Sequence, residues 1–314
     1  MILLLLIFII GILLLLKCAD LFVDGASVLA TRFGVSTVVI GFTVVAFGTS
    51  LPELVVSVGA ALGGNANLAL GNVIGSNVAN IAFILALCSF LVPQIWGGIR
   101  GKQEMISLIL MFLATAVCIA IAFNGTISRF GGGMLLLSFV FALFIIWRST
   151  KKQDADDEIK ENKPDIAGYR DIWMTFFGLV GVIIGAQMVV SSAEKMALLF
   201  GVSDFIIGVT IVAVGTSLPE LATSVTAVRK GEFEISAGNI LGSNLFNCLM
   251  VLGASAVILP ITVPSSIDLG LLAIFTIAVL PFLTGRAIIT RIWGGVLLAC
   301  YAFYILYYAG IFSV

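Results

Sequence analysis

From Ile2 to Leu16 the chain carries no polar side chain, and the recurrence of such apolar runs constrains its fold more than any other feature. A helix rises about 1.5 Å per residue, so about 20 mostly apolar residues cross the hydrocarbon core of a bilayer. Apolar runs bounded by polar or Gly/Pro-marked breaks give ten spans, at about 2–31, 35–61, 68–92, 104–123, 128–148, 171–198, 202–228, 235–259, 267–285 and 289–311. Only 11% of the residues are charged, less than half the share in an ordinary soluble domain, which excludes a water-soluble globule. The first run has neither a basic leader nor an Ala-x-Ala cleavage site and reads as a transmembrane helix. The expected fold is an all-α membrane protein of ten transmembrane helices.

One long polar stretch interrupts the pattern. Residues 149–171 include KKQDADDEIKENKPD, whose alternating charges suit a solvated linker between two halves, 1–148 and 172–314. Its acidic cluster lacks the glycine of an EF-hand loop. Basic residues set the orientation: with the N-terminus outside, 13 of the 16 Lys and Arg fall on the cytoplasmic side, Arg129 and Lys195 fall outside, and Lys17 lies within the first span. The linker is then cytoplasmic. Trp96, Trp147, Trp173 and Trp293 all fall near cytoplasmic span ends and read as interfacial anchors.

The chain also repeats itself. Shifted by 167 residues, Gly34 to Asn80 aligns without a gap on Gly201 to Asn247, and 25 of the 47 positions are identical. The core reads GFTVVAFGTSLPEL against GVTIVAVGTSLPEL, followed by GNVIGSNVAN against GNILGSNLFN. Equivalent positions are five spans apart, and because five is odd the copies traverse the membrane in opposite directions. Two inverted five-helix repeats follow from that count, an architecture frequent in secondary transporters, whose sites lie at the midplane where the repeats meet.

The shared residues carry oxygen chemistry. Glu53 and Glu220 fall within apolar spans, where a carboxylate costs about 2.5 to 3.5 kcal/mol on insertion scales. No Lys or Arg lies in spans 2, 3, 7 or 8 away from their ends, which leaves a bound cation or a proton as partner. Pro52 and Pro219 have no N–H for the carbonyls of Gly48 and Gly215, so each helix must kink or open there. In lipid a freed carbonyl needs a partner, and hard cations bind through oxygen. Thr49 and Ser50 precede Glu53 by four and three residues and would share its face if the turn stays helical. Ser76 and Asn80 repeat the four-residue spacing, and the counterparts of all five are Thr216, Ser217, Glu220, Ser243 and Asn247. The glycines at 71, 75, 238 and 242 form two GxxxG patterns for close helix approach. Asn72, Asn77, Asn239 and Asn244 lie on other helical faces and suit interhelical hydrogen bonding. Asp20, Asp24 and Glu194 suit hydrated helix ends or an entry path.

The paired GTSLPE and GN-x-x-GSN segments resemble the alpha-repeats of the calcium/cation antiporter superfamily, specifically its prokaryotic sodium/calcium exchanger branch, over essentially the whole chain. The resemblance implies four central ligands at Glu53, Asn80, Glu220 and Asn247. It further implies sodium ligands at Thr49, Ser50, Ser76, Thr216, Ser217 and Ser243 and at the backbone carbonyls of Ala46 and Ala213. Well-studied sodium/calcium exchangers carry an acidic residue where this chain has Asn247, and potassium-dependent members carry Asp at the place of Asn80. Both are amides here, so the core charge is −2 with both glutamates ionised, matching one Ca2+ or two Na+. The expectation is antiport of Na+ against Ca2+ by alternating access, independent of K+, with spans 1 and 6 moving across the core.

Other classes fare worse or stay open. A proton/calcium exchanger remains the nearest alternative, since buried glutamates can carry protons, and a passive cation channel the next. An enzyme is not expected: there is no histidine and no soluble catalytic domain, and Cys18, Cys88, Cys118, Cys248 and Cys300 are scattered singly through apolar segments. Neither a cofactor nor a protein partner is implied, and the net charge of −1 without a basic tract argues against nucleic acid. The bilayer is the expected surrounding, in a prokaryotic cell membrane.

Overall fold

The computed structural model describes residues 1–91, 102–154, 169–201, 213–263, 266–279 and 291–308. These form helices α1 (Ile2–Phe33), α2 (Thr37–Thr49), α3 (Leu51–Leu62), α4 (Ala66–Leu91), α5 (Lys102–Ala122), α6 (Arg129–Asp154) and α7 (Arg170–Leu199). After them come a single turn α8 (Ala213–Gly215), α9 (Leu218–Lys230), α10 (Phe233–Ile258), α11 (Ser266–Ala278) and α12 (Arg291–Tyr308). Among the described residues six helices are long and apolar enough to cross a membrane, and the bent pair α2–α3 makes a seventh span. Expected spans 7, 9 and 10 lie partly outside the described residues, as does Trp96. α6 continues to Asp154, several residues into the stretch read as linker. Residues 155–168 of that stretch lie outside the described residues.

Burial separates centre from periphery. In α4 and α10, 78% and 83% of the most apolar window is buried, against 17% in α1, so the two repeat helices form the core and α1 faces lipid. Val73, Val78, Ile81 and Leu85 of α4 pack with Leu241, Leu245, Leu249 and Leu252 of α10, all almost fully buried. Along α1 the side chains of Leu3, Leu6, Ile10 and Leu13 are exposed, while Ala19, Phe22, Val23 and Ala26 are buried against the protein.

In hydrocarbon, helices associate through close packing of small residues rather than through a hydrophobic drive. α1 and α7 do this along their length: Gly11 lies against Met188, Leu15 against Gly185, Cys18 against Gly181, Phe22 against Gly178 and Gly25 against Thr175. One number rises as the other falls, so α1 and α7 are antiparallel. A Cβ on Gly185 would stand 2.6 Å from the Leu15 backbone nitrogen, and one on Gly178 the same distance from that of Phe22. Only glycine permits these approaches. Gly238 and Gly242 bring α10 onto α2 around Gly41 and Phe42, as the GxxxG reading expects. No described residue comes within 4 Å of a Cβ on Gly71, and the nearest to one on Gly75 is the Tyr304 hydroxyl at 3.8 Å.

Departures from regular helix mark the repeated segments, and the first is the opening expected from Pro52 and Pro219. At Ser50, φ −87° and ψ 7° break the chain between α2 and α3, which meet at 44°. Ser217 has φ −87° and ψ 8° at the equivalent place. Each proline then occupies the first turn of the following helix, where no backbone donor is required. α4 and α10 both widen to i→i+5 hydrogen bonding, at Asn80–Ile84 and Asn247–Val251, again 167 residues apart, and α2 widens likewise at Gly41–Val45. Thr126–Ile127 pairs antiparallel with Ile261–Thr262, tying together the connections after α5 and α10.

At the end of the bundle where α6 stops and α7 begins, α1 is joined to the α9–α10 connection. Lys230 Nζ lies 2.7 Å from Asp24 Oδ1 and donates to the Asp20 carbonyl at 2.9 Å, while Ser27 donates to Glu232 at 2.6 Å. Thr37 donates to Glu234 nearby. Asp20 and Asp24, about half exposed, are thus paired with a lysine.

Candidate functional site

The two helix breaks and the widened turns of α4 and α10 converge on one buried region. Glu53 and Glu220 stand in the first turns of α3 and α9, immediately after the breaks, with 0% and 1% exposure. Asn80 and Asn247 open the two widened turns and are equally buried. Thr49, Ser50, Ser76, Ser217 and Ser243 are buried, and Thr216 is half-buried. The Ala46 carbonyl already accepts the Ser50 N–H at 3.1 Å and the Thr49 hydroxyl at 3.4 Å. Ala213 opens α8, and its side chain is not among those described.

The hydroxyls do not serve the glutamate of their own segment. Because the turn at Ser50 is not helical, the Ser50 hydroxyl crosses over and donates to Glu220 Oε1 at 2.9 Å. The expectation that Thr49 and Ser50 would share the face of Glu53 therefore fails, and the reason is local backbone geometry. Neither side-chain oxygen of Glu53 has a hydrogen-bond partner among the described residues. No ion pair between described residues involves Glu53 or Glu220, so no cationic side chain there reaches either carboxylate.

Asparagines outside the expected ligand set knit the halves together. Asn72 Nδ2 donates to the Glu53 carbonyl at 3.3 Å and to Ser57 at 3.0 Å, and Asn239 Nδ2 to the Glu220 carbonyl at 3.4 Å and to Ser224 at 2.9 Å. Thr49 donates to Asn239 Oδ1 at 3.1 Å and Thr216 to Asn72 Oδ1 at 3.4 Å. Asn80 donates to Asn244 Oδ1 at 3.0 Å, and Asn247 to Asn77 Oδ1 at 3.1 Å. The bonds within a half recur when 167 is added to both partners, and those between halves when 167 is added to one partner and subtracted from the other. The interhelical role expected for Asn72, Asn77, Asn239 and Asn244 is borne out.

What these bonds leave over defines the chemistry. Both oxygens of Glu53, Oε2 of Glu220, Oδ1 of Asn80 and Asn247, and the hydroxyls of Ser76, Ser217 and Ser243 are buried without a hydrogen-bond partner among the described residues. Buried polar atoms are otherwise almost always paired, and an unpaired one costs about 1–3 kcal/mol. Eight such oxygens, drawn from two carboxylates, two amides and three hydroxyls of the repeated segments, are of the chemical types that hard cations bind.

Known proteins resemble this chain in sequence and in fold. The family model described as sodium/calcium exchanger protein matches residues 3–148 and 171–309. Inner membrane protein YrbG of Escherichia coli is 39% identical over 259 residues, 80% of this chain and 79% of its own length. Sodium/calcium exchanger MaX1 of Methanosarcina acetivorans is 30% identical over 298 residues, 82% of this chain and 84% of its own length. Among solved structures, the sodium-calcium exchanger NCX_Mj superposes with a TM-score of 0.84 at 31% identity, covering 97% of this chain and 98% of that one.

Proposed function

The chain belongs to the sodium/calcium exchanger family, and from that premise we propose that it is a secondary antiporter exchanging Na+ for Ca2+ by alternating access, without a requirement for K+. The observation that carries the proposal is the cluster of unpartnered buried oxygens around Glu53 and Glu220, to which no lysine or arginine is paired among the described residues. Two carboxylates supply a charge of −2, which one Ca2+ or two Na+ neutralise. Ions that need the same glutamates exclude one another, and exclusion of this kind couples their movements.

In this reading Glu53, Glu220, Asn80 and Asn247 hold the central ion. Thr49, Ser50, Ser76, Thr216, Ser217 and Ser243 complete sodium positions beside it, with the Ala46 and Ala213 carbonyls. Amides at both 80 and 247, in place of aspartate, underlie the proposed K+ independence. The likeness to YrbG, named as an inner membrane protein, supports the cell membrane as its location.

The architecture that goes with this function is ten helices in two inverted five-helix repeats, 1–148 and 172–314, joined by 149–171, with the N-terminus outside and the linker cytoplasmic. The antiparallel α1–α7 pair and the hydrogen bonds that recur on exchange of the halves support the inversion. α1 and α7 move together across the core, since their mutual contact is tight and α1 is mostly exposed to lipid. Calcium uptake into proteoliposomes under separate sodium, potassium and proton gradients tests the reading. It expects uptake with the sodium gradient alone. Equal uptake in sodium-free vesicles under a pH gradient would make the protein a proton/calcium exchanger, and flux without any counter-ion would make it a channel.

A further inference from the structure

An amide ligand has a right end and a wrong end. Its oxygen attracts a cation and its NH2 repels one, yet the two ends are nearly the same size, so packing alone does not choose between them. A hydroxyl ligand has the same ambiguity in where it points its hydrogen. Asn80, Asn247, Thr49 and Thr216 all carry it.

The bonds outside the ligand set remove the ambiguity. The backbone carbonyl of Asn244 can only accept, so the Asn77 group facing it at 3.3 Å is Nδ2, which also donates to Cys248 Sγ at 3.0 Å. Asn77 must then present Oδ1 on its other side, where it accepts from Asn247 Nδ2 at 3.1 Å. With Nδ2 turned to Asn77, Asn247 presents Oδ1 on its other side, and that atom is buried and without a partner among the described residues. Asn72 and Asn239 work alike: the Glu53 and Glu220 carbonyls fix Nδ2, and Oδ1 draws off the hydroxyl hydrogens of Thr216 and Thr49. Asn244 Oδ1 takes the amide hydrogen of Asn80.

We propose that Asn72, Asn77, Asn239 and Asn244 are positioning residues that draw off donor hydrogens of Thr216, Asn247, Thr49 and Asn80, so that the oxygen lone pairs of those four ligands face the cation. The inference rests on the exchange reading and adds to it a set of residues that set ligand polarity without touching the ion. It matters most at Asn247, because a carboxylate at that position would have two oxygens and nothing to orient.

That difference supplies the test. Calcium binding to the purified protein, and its displacement by sodium, are measured in wild type, Asn77→Ala, Asn247→Asp and the double variant, with folding checked by gel filtration. Removing an outer-layer partner of a metal ligand costs about 10–100-fold in affinity, and Asn77→Ala is expected to do so when residue 247 is an amide. In the Asn247→Asp background the same substitution is expected to change affinity by less than about threefold. Equal losses in both backgrounds would make Asn77 a packing residue and overturn the inference, as would no loss in either, while the exchange reading stands. Wild-type protein that binds no calcium, or calcium that sodium does not displace, overturns both. Asn77→Ser takes the place of Asn77→Ala in the same cycle if the alanine variant does not fold.

Discussion

Glu53→Gln keeps the shape of the side chain and removes one of two buried negative charges, and its two consequences have opposite signs. Unit charges about 4 Å apart are worth about 4 kcal/mol at an effective dielectric of about 20, and a divalent ion doubles that to about 8 kcal/mol. The amide oxygen that remains recovers part of the attraction. A net loss of about 4 kcal/mol already weakens calcium binding about a thousandfold. The empty protein, in contrast, no longer holds an ionised group that costs about 2.5 to 3.5 kcal/mol to place in the membrane and that no described donor pairs. Calorimetric calcium titration of purified protein measures the first effect, and thermal unfolding in chelator-containing, sodium-free buffer the second. Affinity is expected to collapse while Tm rises by several degrees. Glu220→Gln gives a smaller rise, because the bond that Ser50 donates there weakens when its acceptor is no longer charged. A fall in Tm with calcium affinity held within about tenfold would assign Glu53 to the scaffold and refute the electrostatic argument.

The crosswise hydroxyl contact is unequal between the halves, so Ser50→Ala should destabilise the ion-free protein by about 1.5–3 kcal/mol while Ser217→Ala leaves it nearly unchanged, read as separate shifts in Tm. Gly185→Ala forces a Cβ to within 2.6 Å of the Leu15 backbone and should cost about 1–3 kcal/mol by separating α1 from α7; an unaltered Tm would show that the pair yields freely. Lys230→Gln breaks exposed pairs with Asp20 and Asp24 and should cost no more than about 1 kcal/mol, an effect that vanishes when wild type and variant are compared at high salt.

Much of this was legible in the residues. The repeat, the paired glutamates and the absence of a cationic partner required only a one-dimensional reading, because burial in lipid leaves an ionisable side chain few explanations. The ligand contacts were less legible. Helical spacing placed Thr49 and Ser50 beside Glu53, but at Ser50 the backbone leaves the helix and redirects its hydroxyl to the other half. The widened turns that begin at Asn80 and Asn247 have no signature in periodicity, since one extra residue in a turn changes a side chain's heading without changing composition. The pairing of Thr126–Ile127 with Ile261–Thr262 joins short segments more than 130 residues apart, with no alternation long enough to announce a strand. Even there the doubling helped, because each irregularity described in both halves recurs at a spacing of 167.

The central claim is that sodium and calcium share one site built from both halves. Equilibrium binding of radioactive calcium to the purified protein, titrated with sodium at constant ionic strength, addresses it directly. With a charge of −2 to neutralise, sodium should displace calcium completely with a Hill coefficient approaching about 2. Calcium binding that persists at saturating sodium would show that the two ions occupy separate sites and contradict the account.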